Sequence, residues 1–141
     1  MNTLPDSAII CLDDDEVVLN ALSIQMQQIV NTEKVVLEFF LDPEEALRAI
    51  PGIIELKIKV IFVLTDYHMP GMTGIEFIKK LKADYPEIRF IMLSGQANEN
   101  LVEDLIRDNF LDYFVSKPWT MNDLLEKIKL LVPEDKLKQK S

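Results

Sequence analysis

Short apolar runs alternate with amphipathic stretches along most of the chain. Residues 8–12 are continuously apolar and stop abruptly at Asp13-Asp14-Asp15. Beyond them Val18, Leu22, Met26 and Ile29 recur at helical spacing between Glu16 and Val30. Residues 35–40, rich in β-branched and aromatic side chains, predict a second strand. Asp42-Pro43-Glu44-Glu45 then reads as a helix start: Asp42 can cap, Pro43 suits the first helical position, and Glu45 stands three beyond the cap. That helix is expected to stop near Pro51-Gly52, and residues 53–59 read equally as a further helical turn or a lead into a strand.

The alternation then continues. Residues 60–64 form a third apolar run ending at Thr65-Asp66, followed by a loop with Pro70, Gly71 and Gly74. Thr73-Gly74-Ile75-Glu76 offers a capping box, and Ile75, Ile78 and Leu81 carry a helix to about Tyr85-Pro86. Residues 90–93 end at Ser94-Gly95, and Leu101, Val102, Leu105 and Ile106 mark a fourth helix. Residues 113–115 end at Ser116-Lys117-Pro118, where the Lys117-Pro118 bond is a candidate cis peptide. Thr120 then caps a last helix carrying Leu124, Leu125, Ile128 and Leu131, which Pro133 ends.

Strands that are apolar on both faces and alternate with helices predict a parallel sheet covered on both sides. The expected fold is α/β: a three-layer αβα sandwich whose five-stranded parallel sheet has the flavodoxin-like order 2-1-3-4-5. Residues 1–7 read as a leader, 8–132 as one domain, and 133–141 as a polar tail that frays.

Composition narrows the partners. The 141 residues carry 24 acidic against 15 basic side chains, a formal charge of -9, which argues against a nucleic-acid surface. No apolar stretch approaches the ~18 residues of a membrane helix, and the first residues hold no secretory core. The single cysteine, Cys11, lies in an apolar run and reads as a reduced core thiol. The expectation is a soluble, cytoplasmic domain that binds neither nucleic acid nor membrane.

In open parallel sheets, ligands bind beyond the carboxyl ends of the strands. There this sequence places Asp13-Asp14, Asp66, Ser94 and Lys117, on strands that the order 2-1-3-4-5 makes neighbours. Clustered carboxylates repel one another, and a hard cation such as Mg²⁺ offsets that repulsion. Each residue also has a plainer reading. The acidic run can cap the first helix, Asp66 can be a surface turn residue, and Ser94 can close a turn with Gly95. Asp14 or Asp15 can cap while a neighbour binds metal. Lys117 is the more telling residue, a compact cation beside the carboxylates that can hold a phosphoryl oxygen.

The segments Ile9-Ile10-Cys11-Leu12-Asp13-Asp14-Asp15-Glu16, Leu64-Thr65-Asp66-Tyr67-His68-Met69-Pro70-Gly71-Met72-Thr73-Gly74, Ile91-Met92-Leu93-Ser94-Gly95 and Phe114-Val115-Ser116-Lys117-Pro118-Trp119 resemble a two-component response regulator receiver domain. The resemblance covers residues 8–132, with the motifs in the family's order and spacing. It implies that Asp66 accepts a phosphoryl group from the phosphohistidine of a sensor histidine kinase or a histidine phosphotransfer protein. It implies that Asp13, Asp14, Asp66 and the backbone carbonyl of His68 hold Mg²⁺. Ser94 would be the switch hydroxyl, Lys117 the phosphate-binding lysine and Phe114 the mobile aromatic side chain. The face of the fourth helix, fifth strand and fifth helix would meet an output partner or a second copy of the chain. Trp119 is expected on that same side.

Such a module catalyses only its own phosphorylation and dephosphorylation and is not an enzyme in the usual sense. Three features depart from the family pattern: Arg107-Asp108-Asn109-Phe110-Leu111 in place of a Gly-Ala turn, a longer and more apolar stretch at 51–59, and Trp119 for Phe. Two alternatives share the residues: a Mg²⁺-dependent phosphohydrolase with an aspartyl nucleophile, or a receiver-like interaction module that is not phosphorylated. Against the first, His68 stands where such hydrolases usually carry a second acid.

Overall fold

The computed structural model describes residues 4–95 and 99–139, so residues 1–3 of the expected leader and 140–141 of the expected tail lie outside it. Strands and helices alternate without exception: β1 Ser7–Leu12, α1 Glu16–Ile29, β2 Val35–Phe40, α2 Pro43–Glu55, β3 Lys59–Thr65, α3 Gly74–Asp84, β4 Arg89–Ser94, α4 Glu99–Arg107, β5 Tyr113–Ser116 and α5 Met121–Leu131. The five strands pair in parallel in the order β2-β1-β3-β4-β5. β1 is buried along its whole length, as is β3 after Lys59, because each lies inside the sheet with helices on both faces.

Two apolar layers flank the sheet. One packs Leu19, Leu22 and Met26 of α1 and Leu124 and Ile128 of α5 over Ile9, Cys11, Phe62 and Leu64. The other packs Ala46 and Ile50 of α2, Phe77, Ile78 and Leu81 of α3 and Leu105 of α4 over Ile10, Val63, Phe90 and Met92. Burial pushes the Cys11 thiol up to about 12, so it stays protonated in the core.

The helix starts follow their capping chemistry. Asp15 accepts from Val17 N–H, Asp42 from Glu44 N–H and Thr120 from Asp123 N–H, while Thr73 and Glu76 form the reciprocal box.

Three expectations change, and two open points close. α2 runs through Pro51 to Glu55, with Ile50 buried and Ile53 and Ile54 packed on the second layer. An interior proline costs a helix about 3 kcal/mol, a penalty that this apolar packing offsets. The segment before β3 is thereby settled as helix followed by a turn at Lys57, which takes φ 65°. The Arg107–Leu111 connection closes with Phe110 and Leu111 N–H both on the Leu105 carbonyl, and Asn109 at φ 65° supplies the left-handed residue.

The tail, as far as Gln139, is docked rather than frayed. Pro133 leads into a single 3₁₀ turn, Glu134–Lys136, and Leu137 forms an antiparallel bridge with Val30. Asn31 N–H donates to Lys136 O and Lys138 N–H to Ile29 O, both at 2.8 Å. Leu137 packs on the α1/α5 layer, and the Lys136 ammonium holds Asp6 at 2.6 Å. Finally, Trp119 packs with the α1/α5 layer, whereas Phe114 packs with the α2/α3/α4 layer. The two aromatics therefore lie on opposite faces of the sheet.

Candidate functional site

The register of the central strands brings the site together. Leu12 pairs with Thr65, so the next residues, Asp13 and Asp66, leave neighbouring strands side by side. Backbone bonds continue the ladder past the strand ends: Asp13 N–H donates to Phe40 O and Asp66 N–H to Leu12 O. Ser94 pairs with Ser116, and Lys117 N–H donates to Ser94 O at 3.1 Å. The Lys117-Pro118 bond is cis.

Asp13 is fully buried, and both its oxygens are engaged. Oδ1 accepts from Asp15 N–H at 2.9 Å and Oδ2 from the Lys117 ammonium at 2.8 Å. Asp66 is buried at 7% exposure; Oδ1 accepts from Tyr67 N–H at 2.7 Å, and Oδ2 lies 3.4 Å from Lys117 Nζ. Asp14 is exposed at the rim, and one oxygen from each of Asp13, Asp14 and Asp66 lies within 4.8 Å of the others.

Burial pushes the Asp13 carboxyl above the usual carboxylate range, and the charge of Asp66 adds to this, against the pull of Lys117 and Asp15 N–H. For Lys117, burial works to lower its pKa, yet the contacts with Asp13 and then Asp66 outweigh it and hold the ammonium above its ordinary value. Two buried carboxylates thus share one ammonium, with Asp14 beside them at the rim. The donor set is all oxygen and suits a hard divalent cation of the Mg²⁺ kind.

The loop after Asp66 is fastened from beneath. Met69 and Met72 are buried, and Gly74 N–H donates to Tyr67 O at 2.8 Å. A Cβ on Gly74 would run into the Asp66 backbone carbonyl, so the glycine is required by close approach. The sequence pattern puts Gly74 in the loop and the cap but gives no sign of this contact, which pairs residues eight apart.

Of the other sequence-derived residues, Ser94 is buried at the end of β4, and Phe114 is half-buried opposite Met92. His68 is exposed, its ring edge-on to Tyr67 with centroids 4.5 Å apart. Residues 96–98, which follow Gly95, lie outside the described residues. Among the described residues, no helix is long and apolar enough to cross a membrane.

Comparison with known proteins agrees with this geometry. The sequence profile of one family, the response regulator receiver domain, matches residues 9–129. The hydrogenase transcriptional regulatory protein HoxA of Cupriavidus necator is 30% identical over 77 residues, spanning 55% of this chain and 16% of that protein. Chemotaxis protein CheY1 of Helicobacter pylori is 32% identical over 72 residues, 50% of this chain and 57% of its own. The match therefore spans less than two thirds of either relative. Among solved structures, a CheY-like receiver domain protein from Methanospirillum hungatei superposes with a TM-score of 0.70 at 26% identity, covering 91% of this chain and 93% of that one. The signal receiver domain of an HD-domain protein from Pseudomonas fluorescens gives 0.75 at 23% identity, over 93% and 90% of the two chains, a likeness of fold.

Proposed function

Because the chain belongs to the response regulator receiver domain family of two-component systems, we propose that it is a switch set by phosphorylation of Asp66. What supports the reading is the convergence of Asp13, Asp66 and Lys117 at the carboxyl end of the sheet, with Asp14 at its rim. The donor is a phosphohistidine on a sensor histidine kinase or histidine phosphotransfer protein. An Asp66 carboxylate oxygen attacks phosphorus, the P–N bond breaks, and its electron pair leaves with the imidazole, which takes up a proton. Tyr67 N–H fixes one Asp66 oxygen, while the other faces Lys117, whose ammonium holds a phosphoryl oxygen as charge moves across the group.

Asp13, Asp14, Asp66 and the His68 backbone carbonyl would hold Mg²⁺. When bound, the cation supplies charge neutralisation for the phosphoryl oxygens. Attack by water on the adduct releases phosphate and resets the switch. In the phosphorylated state the Ser94 hydroxyl turns to the new phosphoryl oxygen and Phe114 moves inward, reshaping the face of α4, β5 and α5 for an output partner or a second copy. The domain works in the cytoplasm, on its own acceptor rather than on a metabolite.

Acetyl phosphate with Mg²⁺ tests this. One added phosphoryl mass that persists, and its loss in Asp66→Asn, is the expected result. Sustained phosphate release without an adduct would make the protein a hydrolase. Neither adduct nor release would make it an interaction module outside the phosphorylation circuit.

A further inference from the structure

The turn between β5 and α5 carries Lys117. Ser116, Pro118 and Thr120 are exposed there, whereas Trp119 is half-buried against the α1/α5 layer. Its indole N–H donates to Gln25 Oε1 on α1 at 2.6 Å. At the start of α1, Asp15 caps the helix and donates its own N–H to Asp13, the carboxylate that holds Lys117. The turn and α1 are therefore joined at two heights: through Asp13 and Lys117 above, and through Gln25 and Trp119 along the helix. The two ties close a ring around the lysine.

We propose that Trp119 is a positioning residue that, through its bond to Gln25, holds the Lys117 ammonium where it meets both Asp13 and Asp66. Lysine has a long, flexible stem, so its head stays between two carboxylates only if its backbone is held. The second contact is the longer, 3.4 Å against 2.8 Å for the first, so it is the one that weakens first when the turn is displaced. Phe in place of Trp119 fills the apolar site but offers no donor to Gln25.

The proposal rests on the reading of Asp66 as phosphoacceptor for its kinetic arm only. Trp119→Phe and Gln25→Leu remove the same bond from opposite sides. Two quantities are read: the rate of Asp66 phosphorylation by acetyl phosphate with Mg²⁺, and acylation of Lys117 by an amine-reactive ester in metal-free protein. Lys127 serves as the internal reference for the second. Since misplacement of a catalytic group by about 1 Å can cost about 100-fold, each variant should slow phosphorylation about tenfold.

Freed from its carboxylates, Lys117 should label several-fold faster, which a loss of general stability alone would not single out from Lys127. The double variant should do no more than either single one, because one bond is lost in all three. Parental rate and labelling in both single variants would overturn the proposal, as would additive losses in the double variant. If the parent takes up no phosphoryl group, the reading of Asp66 fails on its own, and the metal-free labelling still decides the role of Trp119.

Discussion

Two lysine–aspartate pairs of almost equal length stand at opposite ends of the sheet, Lys117–Asp13 at 2.8 Å and Lys136–Asp6 at 2.6 Å. Their surroundings differ. The Asp13 side chain is 0% exposed, that of Asp6 63%. Burial raises the Asp13 carboxyl despite its lysine, whereas the Lys136 hydrogen bond lowers that of Asp6, which water still reaches. Contact geometry alone therefore does not say what an ion pair does. At the carboxyl end, desolvation works against the charges of both Asp13 and Lys117, a cost that a cation beside the carboxylates can relieve. At the amino end, the same pair simply fastens the tail to the start of β1.

Removing each lysine breaks the comparison most directly. Lys117→Met leaves buried carboxylates without their cation, so metal-free urea unfolding should show a loss of about 3 kcal/mol, part of which Mg²⁺ restores. Lys136→Met should leave the same unfolding curve essentially in place, with faster amide exchange at Leu137 and Lys138 as its visible effect. Equal losses in both variants would mean that burial does not separate the pairs.

Two glycines extend the contrast from charge to packing. Gly74→Ala drives a methyl group into the Asp66 carbonyl and should cost about 2 kcal/mol while shifting the Asp66 backbone resonances. Gly52, near the end of α2, has nothing within 4 Å of the place an added methyl group would take, so Gly52→Ala should stabilise the fold by about 0.5 kcal/mol. Urea melts read both signs.

Acid separates the two ends by the smallest effect. The raised Asp13 carboxyl costs stability at neutral pH, and that cost is relieved as pH falls toward the ordinary value of 3.8. The lowered Asp6 carboxyl contributes stability above 3.8 and loses it as pH falls further, through its folded value. Metal-free unfolding between pH 7 and 4 should lose the first trend in Asp13→Asn. Tail amide exchange below pH 4 should lose the second in Asp6→Asn.

The covered parallel sheet could be read from the sequence because strands buried on both faces lose their polar alternation, and Asp13, Asp66, Ser94 and Lys117 each fall within two residues of the end of such a run. The positions of the site were legible for that reason. Contacts that depend on the path of a connection were not. Pro51 carries a strong local stop signal that only packing by Ile50, Ile53 and Ile54 overrides. The polar composition after Pro133 concealed Leu137, whose partner Val30 is more than a hundred residues away. Trp119 sits beyond the last strand residue, where sheet periodicity no longer assigns a face, and its partner Gln25 is 94 positions distant.

The contact between Asp6 and Lys136 also bears on the linear order of the chain. With these residues in hydrogen-bond contact, a short linker can join the two ends of the fold, and new ends can be opened at the exposed Lys57 before β3. In such a circular permutant β3 comes first, so Asp66 precedes Lys117 and Asp13 comes last. The same strand ends still meet, because the acidic cluster depends on which strands are neighbours and not on which is synthesised first. The order of the motifs along the chain is a record of its connectivity, and the geometry that gathers them can survive its rearrangement.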